Sequence, residues 1–356
     1  MKSRNQLIEL ITFNQIWNKK KIKILFRTYG GKVKNRQTGL GHIFRSINLS
    51  YYLKHSVDLH FLVEDYGGAK KIFNEYGFTQ ISSLAKNISL ECDIKKTVQY
   101  IYNNKIDILI IDKHKTDVKY LKVLRKIVKT VIITDLKNIN LPVDILVNGY
   151  VGLENQKYKK DDDSLCLLGP AYQILNHRFS KKNKLTSKKY DILVSFGGLD
   201  EKGIVNIFLD SLNRNAEKLK IKIILGPIAA KSTKVLAFSK KYSKNIEFIQ
   251  ETKNMHDEIS KSKFGFTTGG VTTYEFANMN TPFIVICDDK HQLPTAQNWA
   301  KKNAAINLGL LNKSTQKKIE KVIIDIVQRK INHFSKAKIV DGLGAKRVSS
   351  EILKLF

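Results

Sequence analysis

Three times in this chain a short apolar run ends in glycines and gives way to a segment of helical length. Residues 22–26 lead to Gly39-Leu40-Gly41-His42, residues 190–196 run into Gly197-Gly198, and Phe264-Gly265-Phe266-Thr267 meets Thr268-Gly269-Gly270. Apolar runs this short, spaced by helices, are the pattern of a parallel sheet covered on both faces. Ligands of such sheets gather at the carboxyl ends of the strands, where all three glycine turns fall. After Gly41, the apolar residues Ile43, Ile47 and Tyr51 recur every four positions, which predicts a helix.

Taken in order, the spacing predicts strands over 58–63, 106–111, 130–134 and 143–147, with helices over 67–76 and 117–129. The stretch 177–189 is rich in Asn, Ser and Lys and reads as a linker. A second alternation follows, with helices over 203–219, 229–242 and 255–261, strands over 221–225, 246–249 and 282–287, and a last helix over 341–356. The expectation is an α/β chain of two Rossmann-like, doubly wound domains, residues 21–176 and 190–340, facing a central cleft. Residues 1–20 read as a short amphipathic helix: Glu9 interrupts the apolar run, and no small-residue cleavage site follows.

His42 stands at a predicted helix start, where unpaired N–H groups and a partial positive charge disfavour a further cation, so the ring suits a general base. Arg45 lies one turn behind it, and Asp112, His114 and Asp135 fall at neighbouring strand ends. Against this stands the plain reading that Gly-x-Gly is a tight turn and His42 a capping residue. Gly269, Gly270, Thr272 and Thr273 form a second candidate anion site, with backbone N–H groups and hydroxyls placed to hold a diphosphate. Glu275, a turn further on, can accept both hydroxyls of a ribose or simply serve the helix dipole. His291 and Gln292, after Asp288-Asp289, are expected to line the same cleft. No metal is expected: Asp289 with His291 is a lone near pair, and Asp161-Asp162-Asp163 sits in a Lys-rich loop. P-loop, zincin and serine-hydrolase motifs are absent.

The formal charge is +30 and the pI near 9.8, which raises nucleic acid or an anionic membrane as partners. The lysines are spread through nearly every predicted helix and loop, which argues against specific nucleic-acid binding and leaves an anionic small substrate, or loose association with an acidic membrane, compatible with the charge. Cys92, Cys166 and Cys287 are far apart with no C-x-x-C pair, so a reducing cytoplasm is expected.

The chain resembles the UDP-sugar hydrolases of pseudaminic acid biosynthesis and their spore-coat polysaccharide relatives, a branch of the GT-B superfamily that also holds the lipid II N-acetylglucosaminyltransferase. The resemblance rests on Gly39-x-Gly41-His42-x-x-Arg45, Asp112 with Asp117, Leu168-Gly169-Pro170-x-Tyr172-x-x-Leu175, the run Ile192 to Gly198 with Asp200, Gly269-Gly270-x-Thr272-x-x-Glu275, Gln292, and Val340-Asp341-Gly342-x-Gly344-Ala345-x-Arg347. It implies a GT-B fold with no cofactor, the diphosphate on Gly269, Gly270 and Thr272, the ribose on Glu275, and His42 activating water for attack that expels UDP. Two departures concern the sugar side: His114 replaces a Tyr of the family, and His291 an Asn. The expected substrate is a UDP-linked amino or deoxy sugar. A glycosyltransferase using a glycan or lipid acceptor is the rival reading, and a polyanion-binding protein the third.

Overall fold

The computed structural model of the protein describes residues 21–31, 40–113, 116–135, 140–154, 164–181, 187–198, 200–226, 232–331, 334 and 338–356. Two wholly parallel sheets organise them. In the first, strands β1 (Lys23–Gly30), β2 (Asp58–Asp65), β3 (Ile81–Leu84), β4 (Ile108–Asp112), β5 (Lys129–Ile133), β6 (Ile145–Asn148) and β7 (Leu165–Leu168) lie in the order β3-β2-β1-β4-β5-β6-β7. In the second, β8 (Tyr190–Ser195), β9 (Ile221–Leu225), β10 (Ile246–Gln250), β11 (Ser262–Thr267), β12 (Phe283–Cys287) and β13 (Ala305–Leu310) are ordered β10-β9-β8-β11-β12-β13. Each sheet therefore reverses its winding once, between β1 and β4 and between β8 and β11. A doubly wound sheet opens a crevice at such a reversal.

Both faces of each sheet are covered, which is why β4 and β12 are buried along their whole length. On one face of the first sheet pack helices α1 (Gly41–Leu53) and α2 (Ala69–Glu75); on the other, α3 (Leu90–Asn104) and α4 (Val118–Arg125). The second sheet carries α5 (Ile204–Leu212), α6 (Thr233–Lys241) and α10 (Thr315–Val327) on one side, and α7 (Met255–Ser260), α8 (Thr272–Asn278) and α9 (Leu293–Lys301) on the other. The last helix, α11 (Gly344–Leu353), crosses back: its Ala345, Val348 and Ile352 are buried in the core of the first sheet with Ile43 and Ile47 of α1.

Several boundaries differ from the sequence pattern. β1 runs on to Gly30, because Arg27 inside it is neutralised rather than solvated; its full length pairs with β2. The helix over 117–129 ends at Arg125, and Asp117 caps it by accepting from the Lys119 N–H at 2.6 Å. The helix over 203–219 ends at Leu212 and continues as a 3-10 turn over Asn213–Glu217. The stretch 177–189 does not begin as a free linker: His177–Ser180 form a 3-10 turn whose Phe179 is buried with residues of the second sheet. Strands β3, β7 and β13 and helices α3, α9 and α10 carry weaker or mixed patterns that sequence periodicity passed over. The expected helix over 1–20, His114 and Asp161-Asp162-Asp163 lie outside the described residues. No helix among the described residues is long and apolar enough to cross a membrane.

The carboxyl edges of the two sheets meet. Tyr150, two residues past β6, takes a hydrogen bond from the Thr295 hydroxyl and donates to the His291 carbonyl at 3.3 Å. Next to it, Val151 receives a bond from Asn298 Nδ2 on its carbonyl (2.8 Å) and donates its N–H to the Tyr274 hydroxyl (3.0 Å).

Candidate functional site

At the reversal of the first sheet, β1 and β4 lie side by side with Thr28 opposite Asp112. The next described element is α1, whose first turn lies at these strand ends, with His42 reaching Asp112. Gly41 opens that helix, and a Cβ there would meet nothing within 4 Å. His42 Nδ1 lies 2.6 Å from Asp112 Oδ1 and Nε2 lies 3.0 Å from the Tyr29 hydroxyl. Arg45 Nη2, which can only donate, also stands 3.1 Å from Nδ1; the shorter contact is to the carboxylate, which only accepts, so we place the neutral ring's proton on Nδ1 and its lone pair on Nε2. Arg45, one turn along α1, clamps Asp112 with Nε at 2.8 Å and Nη2 at 2.5 Å, and gives Nη1 to both oxygens of Asp135 at 2.8 and 3.1 Å.

Asp112 is wholly buried. Burial alone raises a carboxyl, but Arg45 and then His42 outweigh it and bring Asp112 down to about 2. Burial likewise acts to lower Arg45, while Asp112 and Asp135 overcome it and raise the guanidinium above its usual range. Two carboxylates against one guanidinium leave one negative charge in excess beside His42.

A second buried network fixes the strand ends from the opposite face. Arg27 forks onto Asp93 of α3 through Nε and Nη2, both at 2.9 Å, and reaches Glu64 at 3.2 Å. Lys113, the neighbour of Asp112, also bonds Asp93. Two cations and two carboxylates balance, as burial of charge requires. Asp112 and Lys113 are thus anchored on opposite faces of the sheet.

At the reversal of the second sheet the chemistry is that of backbone. Gly197, at φ +86°, and Gly198 follow β8 and are exposed, and Gly226 packs so closely that a Cβ on it would come within 2.4 Å of both their carbonyl oxygens. Asp200 caps α5 by accepting from the Ile204 and Val205 N–H groups at 2.6 and 3.0 Å. Beyond β11, Gly270 has open space where a Cβ would stand. Glu275, partly buried on α8, is raised by burial to about 7, with the Thr272 hydroxyl opposing.

Several of the expected ligand groups also bond within the protein. Gln292 Oε1 takes the N–H of Gly269 (3.1 Å) and of Asp288 (3.2 Å), so it ties two strand-end loops together and the Gly269 N–H is already engaged. Thr273 is buried and donates its hydroxyl to the Gly270 carbonyl at 2.7 Å. These groups shape the loop, because a buried polar atom must find a partner inside the protein. His291 is exposed and paired with Asp289 at 2.8 Å. Among the described residues no three His, Cys, Asp or Glu side chains group as a metal site requires. Arg45, expected to position groups or to face a phosphate, has its donors taken by carboxylates. Tyr29 was missed, because residues past 26 looked too polar to continue a strand.

Two doubly wound parallel sheets with their carboxyl edges together define a GT-B fold. Residues 172–352 match the glycosyltransferase family 28 C-terminal domain, and the chain belongs to that family. It is 29% identical over 294 residues to the uncharacterized protein MJ1062 of Methanocaldococcus jannaschii, covering 77% of this chain and 58% of that one. It is 24% identical over 222 residues to the spore coat polysaccharide biosynthesis protein SpsG of Bacillus subtilis, covering 60% of this chain and 65% of the relative. The chain thus spans about three fifths of the length of the curated relatives it matches. Among solved structures, MurG of Acinetobacter baumannii superimposes with a TM-score of 0.63 at 12% identity, over 94% of this chain and 99% of its own. A putative UDP-N-acetylglucosamine 2-epimerase of Listeria monocytogenes has the same TM-score at 13% identity, over 95% and 97%. Similarity at this level establishes the fold and leaves the reaction to the site.

Proposed function

We propose that the protein is a nucleotide-sugar enzyme of glycan biosynthesis that hydrolyses a UDP-linked amino or deoxy sugar to free sugar and UDP. One observation carries the reading: a histidine held in one tautomer by a buried carboxylate, at the reversal of the first sheet, with glycine turns at the reversal of the second. His42 is the base that activates water, Asp112 orients it and Arg45 fixes Asp112. His114 belongs to the same reading as a sugar-side residue. The diphosphate lies along Gly197, Gly198 and Gly270 with the Thr272 hydroxyl, and Glu275 takes the ribose. Gly269, Thr273 and Gln292 hold that loop in shape, and His291 stands at its rim. The work of SpsG in polysaccharide formation, as its name states it, supports the pathway; a cytoplasmic location suits it.

A second reading, transfer of the sugar to a glycan or lipid acceptor, is favoured by the family match and by the likeness to MurG. It gives the basic surface a role at an anionic membrane. Incubation with UDP-sugars and no acceptor separates the two: free sugar and UDP released one to one support the hydrolase, and release only on adding an acceptor supports the transferase. His42→Ala is expected to keep UDP affinity and lose turnover by about 10²–10⁴-fold, the usual worth of a general base. Turnover equal to the parent's would remove His42 from the chemistry. Tight, salt-sensitive nucleic-acid binding without affinity for UDP would overturn both readings.

A further inference from the structure

The lone pair of His42 is not left open. Nε2 faces the Tyr29 hydroxyl at 3.0 Å, and the two rings lie together with centroids 4.6 Å apart. Tyr29 is only 7% exposed, near the end of β1 and opposite Glu64 of β2. The Nε2 lone pair is therefore already engaged by the phenol. We propose that Tyr29 is a catalytic residue whose hydroxyl relays the acceptor's proton to His42 Nε2. This rests on the nucleotide-sugar reading and holds for a water or a glycan hydroxyl alike.

The step balances without a further reactant. The acceptor O–H bond breaks as its proton passes to the Tyr29 oxygen, while the proton Tyr29 already carries moves to Nε2. The freed electron pair on the acceptor oxygen forms the bond to the anomeric carbon. The bond from that carbon to the diphosphate oxygen breaks, and its electron pair leaves with UDP. His42 ends as an imidazolium against Asp112 and returns its proton to solvent after product release. Burial first, and then the Asp112 charge, hold the Tyr29 hydroxyl above the ordinary tyrosine range, so it stays protonated and passes a proton without acting as the base itself.

Tyr29→Phe keeps the ring and removes the hydroxyl. With whichever UDP-sugar the parent turns over, kcat is expected to fall about 100-fold or more, as loss of a positioned proton-transfer group does, with KM nearly unchanged. The proton inventory in mixed H2O and D2O should change from curved to linear. A kcat equal to or above the parent's would show Tyr29 to be a bystander or a gate and overturn the relay. A second readout needs no substrate: carbethoxylation of His42 by diethyl pyrocarbonate, followed by peptide mass, should run at least several-fold faster in Tyr29→Phe at an unchanged melting midpoint. Equal rates would overturn the Tyr29 contact itself. In the parent alone, His42 should react more slowly than His291, whose side chain is 73% exposed; the reverse order would also overturn the contact. A parent that turns over no UDP-sugar, with faster modification in the variant, would sink the nucleotide-sugar reading and leave the pairing of Tyr29 with His42 standing.

Discussion

The two sheets reverse at corresponding places, and the two reversals are furnished in opposite ways. At the first, between β1 and β4, the groups on offer are side chains: His42, Arg45, Asp112, Asp135 and Tyr29 form a chain of hydrogen bonds around a buried carboxylate. At the second, between β8 and β11, the groups on offer are glycine backbone, one hydroxyl and one carboxyl, with loops fastened to each other through Gln292 and through Lys202, which donates to the Asp288 carbonyl. A proton-handling site needs fixed charges that tune one ring. A diphosphate site needs bare N–H groups that a bulky side chain would cover. Under the proposed function the same topology serves two tasks, and each edge should then fail in its own way when disturbed.

The largest effect is expected at the first edge. Arg45→Met removes the cation that offsets a wholly buried Asp112, and breaking such a pair costs about 3–5 kcal/mol. The sign with pH follows from Asp112. Its pKa, lowered to about 2 in the parent, contributes stability that is present above the ordinary value of 3.8 and lost as pH falls through about 2. In the variant that contribution shrinks, so the gap between the two proteins should be widest near neutrality and narrow in acid. Denaturant melts of parent and variant at pH 7 and pH 3 measure this, and a constant gap would mean that Arg45 acts by packing and not by charge.

A smaller effect is expected from Gly269→Ala at the second edge. A Cβ there would stand 2.6 Å from Gln292 Cβ and 3.1 Å from its backbone oxygen, so the loop must shift and the Gln292 bridge must open. Overpacking of this kind costs about 1–3 kcal/mol. UDP affinity should fall by about tenfold or more, with the diethyl pyrocarbonate reactivity of His42 unchanged. Calorimetric titration with UDP checks the first and peptide mass the second. An altered His42 would show that the two edges are coupled and not separate devices.

How far the sequence showed each edge follows from how local its signals are. The glycine turns, His42 with Arg45 one turn later, and Asp112 at a strand end are marked within a few residues of one another. Tyr29 is not. Finding it requires knowing that Arg27 stays inside the strand, and Arg27 is tolerated there because Asp93, 66 residues away on α3, neutralises it. The crossing of α11 onto the first core is invisible for the same reason: Ala345, Val348 and Ile352 show an amphipathic helix but not the sheet it covers. Gln292 and Thr273 bond to Gly269 and Gly270, a task the sequence did not show because a polar side chain near a glycine loop looks the same whether it faces a ligand or holds the loop.

Glu275 gives the smallest and sharpest test, because it sets stability against binding in one residue. Its carboxyl is raised to about 7 from an ordinary 4.5, chiefly by burial. Stability from that group is therefore complete below about 4.5 and is lost as pH rises through about 7, because the folded state then has to hold a desolvated charge. Accepting two ribose hydroxyls requires that same charge. UDP affinity of the parent should rise modestly, by less than about tenfold, as pH passes from 6 to 8, while its melting temperature falls. In Glu275→Gln the charge never forms: affinity should be weaker and flat across that range, and at pH 8 the variant should melt no lower than the parent. Both arms are read from one series of UDP titrations and thermal melts. If the variant binds UDP as the parent does, Glu275 is a buried helix residue and the ribose lies elsewhere on the second edge; if it binds weakly but melts lower at pH 8, the Thr272 contact, not the ribose, is what the carboxylate is kept for.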